Sequence, residues 1–466
     1  MSAPDDVPRS APHPPSGHLL PAAQGEGKGS FGEDGFKPAV LMRDGGLEPA
    51  LRGIRFAPAF RGFVGGDGRS ARRPVRVGCA SVRYAAALAS GASRSLHAHR
   101  PRLCMPLFFL RCTTVLAAVT SAAGASASPL TPSRDADLDA TLSVIVRDTG
   151  VPSVSVARIE GGRIVAVGVA GERAAGQPAT RATRYNVASL TKPVAAEVVL
   201  RLASEGRFSL DDRMADAWVD LDIAGDPRHA RLTPRFALAH QTGLPNWRGP
   251  SGLAFIADPG GAPGYSGEGY EYVAHYVQAL TGARLDQQAQ RLVFGPLGLR
   301  AIAFTATGTD AVDIASSKRE GHWHSPVFRA RPSAADDLLT TAEDYARFVV
   351  SVMEGEGVSP SLLAERQRVQ ADRRGEICAG IPADICPDRA GFTLGWELFD
   401  FGGTLYYLHT GMDEDAFALA YWVPSTRSGT VILTNSREGY RAVLPVLDAI
   451  GADATFVEML RAQASR

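Results

Sequence analysis

The sequence predicts an α+β protein, an α/β/α sandwich in which an antiparallel sheet of about five or more strands lies between amino- and carboxy-terminal helices. Three observations predict it. Strand-like apolar runs bounded by turn residues occur early, at residues 154–159 and 164–169, and return late, at 404–408, 416–423 and 429–434. Apolar residues at helical spacing flank these runs on both sides. Between them, residues 205–380 carry mainly helical patterns and loops, which read as an inserted all-helical region.

In chain order, Leu138, Leu142 and Ile145 repeat at i, i+4 and i+7 and Gly150 ends that helix. Residues 154–159 and 164–169 form a hairpin around Glu160-Gly161-Gly162-Arg163. Ala195, Val198, Val199 and Leu202 set a helical period just after Ser189. Two further helices are predicted over 270–280, ending at Gly282, and over 341–353. The late strands follow, and helices over 441–450 and 453–462 close the chain. There is no internal repeat.

The amino-terminal part is different. Residues 1–104 are rich in Gly, Pro, Arg and Ala, with no sustained period, as expected of a disordered extension. Residues 105–127 carry a short apolar run and end at Ala125-Ser126-Ala127, the pattern of a cleaved signal peptide. Such a segment belongs at an amino terminus, so translation is expected to start at Met105 and the preceding residues to be an annotation artefact. A long extension and an uncleaved anchor are the rival readings. The run is short and broken by Arg111, which argues against a stable membrane span. The expected location is therefore periplasmic or secreted, and residues 128–466 form the folded domain.

The chain has 49 basic and 49 acidic residues, but 16 basic and 8 acidic ones precede residue 128, leaving 33 against 41, a balance of −8. An acidic body without a basic stripe excludes nucleic acid as a partner class. Of five cysteines only Cys378 and Cys386 follow residue 127, either as a disulfide of an exported protein or as two unpaired thiols. Neither has a histidine at zinc-like spacing, so no metal site is expected there.

Three short motifs carry chemistry. Ser189-Leu190-Thr191-Lys192 puts a hydroxyl and an amine three residues apart where a helix begins, so Ser189 is expected in its first turn with Lys192 on the same face. Beyond residue 127 the only lysines are Lys192 and Lys318. A partly buried lysine can deprotonate and accept a serine proton, which arginine cannot do. The plainer alternative is an N-cap serine beside a surface lysine. Tyr265 lies in a glycine-punctuated loop before the 270–280 helix, either as a packing tyrosine in a turn or as a phenol near Lys192 that can pass a proton to a leaving group. His409-Thr410-Gly411 ends a strand-like run, either with a structural histidine or as an edge where a backbone N–H can face an oxyanion and the glycine lets substrate approach.

With these motifs in this order, residues 134–440 resemble the serine β-lactamase-like hydrolases: class C β-lactamases, their esterase relatives, D-amino-acid peptidases and D,D-carboxypeptidases. Further matching stretches are Tyr185-Asn186-Val187-Ala188, Leu238-Ala239-His240-Gln241-Thr242-Gly243-Leu244-Pro245 and Phe294-Gly295-Pro296-Leu297-Gly298-Leu299. The resemblance implies a β-lactamase/transpeptidase-like fold, Ser189 as the acylated nucleophile, Lys192 as its base and Tyr265 as a proton relay. It places His409, Thr410 and Gly411 on the substrate side, with the backbone N–H groups of Ser189 and Met412 as the oxyanion hole, and it implies no metal or organic cofactor.

The chain departs from the β-lactamase pattern twice. Gly267 stands where Tyr-x-Asn has its asparagine, and His409 stands where Lys-Thr-Gly has its lysine. A largely neutral imidazole suits esters or amine-bearing substrates better than carboxylates. Asp413, Glu414 and Asp415 add carboxylates, read either as substrate-facing charges or as solvated turn acids. His322-Trp323-His324 lacks a third ligand, leaving a loop over the substrate groove with His322 as a substrate contact. The expected function is an exported serine hydrolase acting on small esters, amides or D-residue peptides. The rivals are a class C-like β-lactamase or D,D-carboxypeptidase and a non-catalytic peptidoglycan-fragment or other ligand-binding protein.

Overall fold

The computed structural model describes residues 134–305 and 313–465. The expectations for residues 1–104 and 105–127, the cleavage pattern included, lie outside them. Helix α1 (Arg134–Thr149) leads into β1 (Ser153–Glu160) and β2 (Arg163–Ala174), the predicted helix and hairpin. Short strands β3 (Gln177–Pro178) and β4 (Tyr185–Asn186) precede α2 (Thr191–Ser204).

The inserted region is not all helical. It holds α3 (Pro234–Leu238), α4 (Gly267–Thr281), α5 (Leu285–Ala289), β5 (Ala303–Phe304), β6 (Ser317–Arg319), β7 (His322–His324), β8 (Leu338–Thr340), α6 (Ala342–Glu354), α7 (Pro360–Arg366), β9 (Ala371–Asp372) and α8 (Arg374–Ile377). β4, β8 and β5 form a three-stranded sheet and β6–β7 a hairpin, so His322-Trp323-His324 is a strand rather than a loop. These strands are two or three residues long, too short to show a period of two.

The chain then runs through β10 (Arg389–Phe392), β11 (Glu397–Phe401), β12 (Thr404–Met412), β13 (Phe417–Val423) and β14 (Ser428–Thr434) to α9 (Tyr440–Ala449) and α10 (Ala454–Ala464). The main sheet has nine strands in the order β3-β2-β1-β14-β13-β12-β11-β10-β9, with antiparallel neighbours throughout. Both faces are buried. Ala418, Ala420, Trp422, Val431 and Leu433 pack toward α2, α4 and α6, while Leu419, Tyr421 and Ile432 pack toward α1, α9 and α10. Alternate residues of each strand thus serve two cores, which is the expected sandwich. Cys378 and Cys386 are joined in a disulfide between α8 and β10. Among the described residues, no helix is long and apolar enough to cross a membrane.

Candidate active site

Ser189 lies in a single 3₁₀ turn, Ala188–Leu190, that runs into α2, one step before the helix turn expected for it. Ala188 has φ 44°, a left-handed conformation unfavourable for alanine, so its surroundings must hold the turn. The Ala188 N–H donates to Asn186 Oδ1 at 2.8 Å and the Thr191 hydroxyl to Ala188 O at 2.7 Å. The Tyr345 hydroxyl donates to Leu190 O at 2.8 Å. Lys192 Nζ sits 3.0 Å from Ser189 Oγ and donates to the Ala335 carbonyl at 3.0 Å. Ser189 is 6% exposed and Lys192 0%. The serine makes no capping bond and the lysine is not on the surface, so the N-cap reading fails.

Tyr265 reaches the same place from the loop before α4, with Lys192 Nζ 4.8 Å from its ring centre. Ser266 fixes the start of that helix: its Oγ accepts from Gly269 N–H at 2.9 Å and its hydroxyl donates to Pro245 O at 2.8 Å.

His409, Thr410, Gly411 and Met412 lie within β12, not beyond a strand end. Gly411 is packed on the nucleophile turn itself. A Cβ there would fall 2.0 Å from Val187 O and 3.0 Å from Ser189 N, so the close approach this glycine permits is to protein backbone rather than to substrate. Asp413 N–H donates to Ala416 O at 3.1 Å, and antiparallel alternation from that pair turns the Met412 N–H away from β13. β11 pairs with β12 only as far as Leu408, so the edge carrying Thr410 and Met412 is uncovered by strand. A cavity there is lined by Tyr265, Phe392, Trp396, Leu408 and His409. The His409 Nδ1 lies 2.8 Å from Thr410 O, which can only accept, so Nδ1 carries the proton and Nε2 keeps its lone pair. Burial, and then the Lys192 ammonium, push His409 down to about 3 against a smaller opposing effect of Thr410 O.

The profile of the beta-lactamase family matches residues 138–453. The chain belongs to the beta-lactamase family. The family, with the buried Ser189–Lys192 pair, makes it a serine hydrolase. It is 22% identical over 254 residues to an unguisins hydrolase of Aspergillus violaceofuscus, covering 46% of this chain and 45% of that protein. The D-amino acid amidase of Ochrobactrum anthropi, solved with L-phenylalanine amide, is 20% identical, with a TM-score of 0.55 over 68% of this chain and 99% of that one. EstCE1, a hydrolase with promiscuous acyltransferase activity, is 18% identical with a TM-score of 0.55, over 67% and 99%. At these identities the solved structures show a shared fold.

The beta-lactamase family chain also shows why its second motif lacks asparagine. A Cβ on Gly267 would meet Asn246 O at 2.8 Å and the Trp247 ring at 3.0 Å, and the Gly267 N–H donates to Asn246 Oδ1 at 3.0 Å. The three acids after Met412 are neither free nor merely solvated. Asp413 accepts from Asn186 Nδ2 at 2.6 Å and binds the hairpin's own N–H groups. Asp415 takes the Ser317 hydroxyl at 2.6 Å, and Glu414 pairs with Arg437. His322 is exposed on β7. Among the described residues, no cluster of three His, Cys, Asp or Glu side chains could hold a metal.

His240, quoted in the sequence without a role, is a site residue that pattern reading missed. It is 3% exposed and stacks on Tyr265 with ring centres 4.4 Å apart. Burial, followed by the Lys192 charge, holds it well below the usual imidazole range. Both imidazoles are therefore buried neutral, while the unfolded chain would protonate them below about pH 6.5. A depressed folded value means the unfolded state binds more protons, so stability is full above the unfolded value and falls as pH drops. The slope is about 1.4 kcal/mol per pH unit for each imidazole, extending down to about pH 3 for His409. Urea midpoints should fall steeply from pH 7 to 4.5, and His409→Gln should flatten that fall. An unchanged slope in the variant would contradict the buried neutral ring.

Proposed function

We propose that this chain is an exported hydrolase that cleaves small esters or amides, D-residue peptides included, through an acyl-enzyme on Ser189. The observation that carries the reading is the fully buried Lys192 amine 3.0 Å from Ser189 Oγ. In its unprotonated form the Lys192 amine takes the serine proton as Oγ bonds to the substrate carbonyl carbon. The oxyanion rests against the Ser189 and Met412 N–H groups. Tyr265 returns the proton to the departing oxygen or nitrogen, and water then hydrolyses the ester on Ser189.

His409 narrows the substrate. Its Nε2 is an uncharged acceptor where a permanent cation would welcome a carboxylate, so a neutral ester or a group bearing N–H or O–H is the better partner. The small cavity beside it favours small groups. The O. anthropi relative, named for D-amino acid amides, agrees with this direction. β-Lactam or D,D-carboxypeptide cleavage is the weaker alternative on the same machinery. Export is supported by the Cys378–Cys386 disulfide, which persists in an oxidising compartment.

A fluorophosphonate probe should label the wild type and not Ser189→Ala. Initial rates on a short p-nitrophenyl ester and a D-alanyl amide should exceed that on nitrocefin. No labelling of a folded wild type, or nitrocefin as the best substrate, would overturn the reading.

A further inference from the structure

His240 touches Tyr265 from three directions. Its carbonyl oxygen accepts from Gly264 N–H at 2.9 Å. Its Nδ1 accepts from Ser266 N–H at 3.1 Å. Gly264 and Ser266 are the two chain neighbours of Tyr265, and the imidazole stacks on the tyrosine ring itself, at 28° between planes. The other side of the imidazole meets Phe392 edge-on at 4.6 Å, with Tyr270 at 5.3 Å. Tyr270 is tied in turn, its hydroxyl donating to Leu238 O at 3.1 Å.

The backbone is bent to make this possible. His240 has φ 56°, a left-handed conformation uncommon outside glycine but adopted by His more often than by most residues, at the end of the short α3. We propose that His240 is the positioning residue of Tyr265, gripping the backbone on either side of it and fixing its ring over Lys192. The grip requires an unprotonated Nδ1, because the bond from Ser266 N–H needs its lone pair. Burial and the nearby Lys192 and Arg373 charges keep the ring neutral. Ser266 is fully buried, so losing this acceptor would leave an N–H unsatisfied at the start of α4.

The inference rests on the proton-relay role proposed for Tyr265, and its test separates the two. A phenolic relay matters most when the leaving group is a poor one, such as an alkoxide, and least for p-nitrophenolate. His240→Phe keeps a ring but removes the Nδ1 acceptor. It should lower kcat on a simple alkyl ester roughly 10²-fold, lower it much less on the p-nitrophenyl ester, and leave KM within about twofold. In a Tyr265→Phe background the same change should add almost nothing, since both act on one group. His240→Asn tolerates positive φ and offers Oδ1 to Ser266 N–H, so it should recover part of the rate. If His240→Phe fails to fold, the cycle is run with His240→Asn, whose smaller loss should likewise vanish beside Tyr265→Phe.

Losses that multiply in the double variant, or a folded His240→Phe with the wild-type rate on the alkyl ester, would overturn the positioning role while leaving that of Tyr265 intact. A wild-type rate for Tyr265→Phe alone would overturn the relay role, and the positioning role with it.

Discussion

Lys192→Ala should reduce ester turnover by roughly 10³-fold while the protein still folds. The amine is fully buried, 3.0 Å from Ser189 Oγ, and it also donates to Ala335 O. Alanine removes the proton acceptor and leaves Ser189 to attack as a neutral alcohol. It also removes a costly buried amine, so the cavity left behind is partly offset in stability. Lys192→Arg should be equally inactive, because a guanidinium cannot give up its proton at working pH. Steady-state rates and fluorophosphonate labelling, with a melting curve for each variant, make the check. Either variant retaining more than about a tenth of the wild-type rate would remove Lys192 from the role of base.

Gly411→Ala should be the most damaging single methyl group in the active site. The added Cβ would lie 2.0 Å from Val187 O and near the N–H groups of Ser189 and Leu190. Backbone cannot yield as a flexible side chain does, so β12 and the nucleophile turn must separate. That moves Met412 N–H relative to Ser189 N–H, the two donors proposed to share one oxyanion. Misplacing such a donor typically costs about 10²- to 10³-fold in kcat, and overpacking about 1–3 kcal/mol in stability. Pre-steady-state acylation and urea unfolding measure the two losses separately. Wild-type acylation at unchanged stability would show that the contact yields more easily than the geometry implies.

The sequence is legible where spacing or an apolar run is local. Ser189 and Lys192 are three residues apart and their side chains meet in the fold, and β1, β2, β13 and β14 are apolar runs long enough to be seen. Nothing local marks β11, where Asp400 is 4% exposed and looks out of place in a strand. Its register partner Arg389 supplies the missing charge at 2.6 Å from the neighbouring strand, a pairing no local pattern contains. By pattern Gly267 is a lost asparagine, and the Trp247 ring and Asn246 carbonyl that fill its surroundings come from the preceding loop. His240 carries no local sign at all, because its meaning lies in contacts with residues 264–266. β12 runs four residues past the predicted 404–408, because His409, Thr410 and Gly411 interrupt an apolar run.

The central pairing of the sheet has a consequence for how the molecule comes into being. β1 lies against β14, and the Ser153 hydroxyl donates to Asn435 Oδ1 at 2.7 Å across a separation of 282 residues. Contacts that distant form late, after most of the loop-closure entropy has been spent. During synthesis β1 and β2 therefore emerge without their partner, and the strand that carries Gly411 is made long after Ser189. A nascent chain has a serine and a lysine one turn apart but no opposite wall for them, so the site is completed only once β12 has been made and has found its place in the sheet.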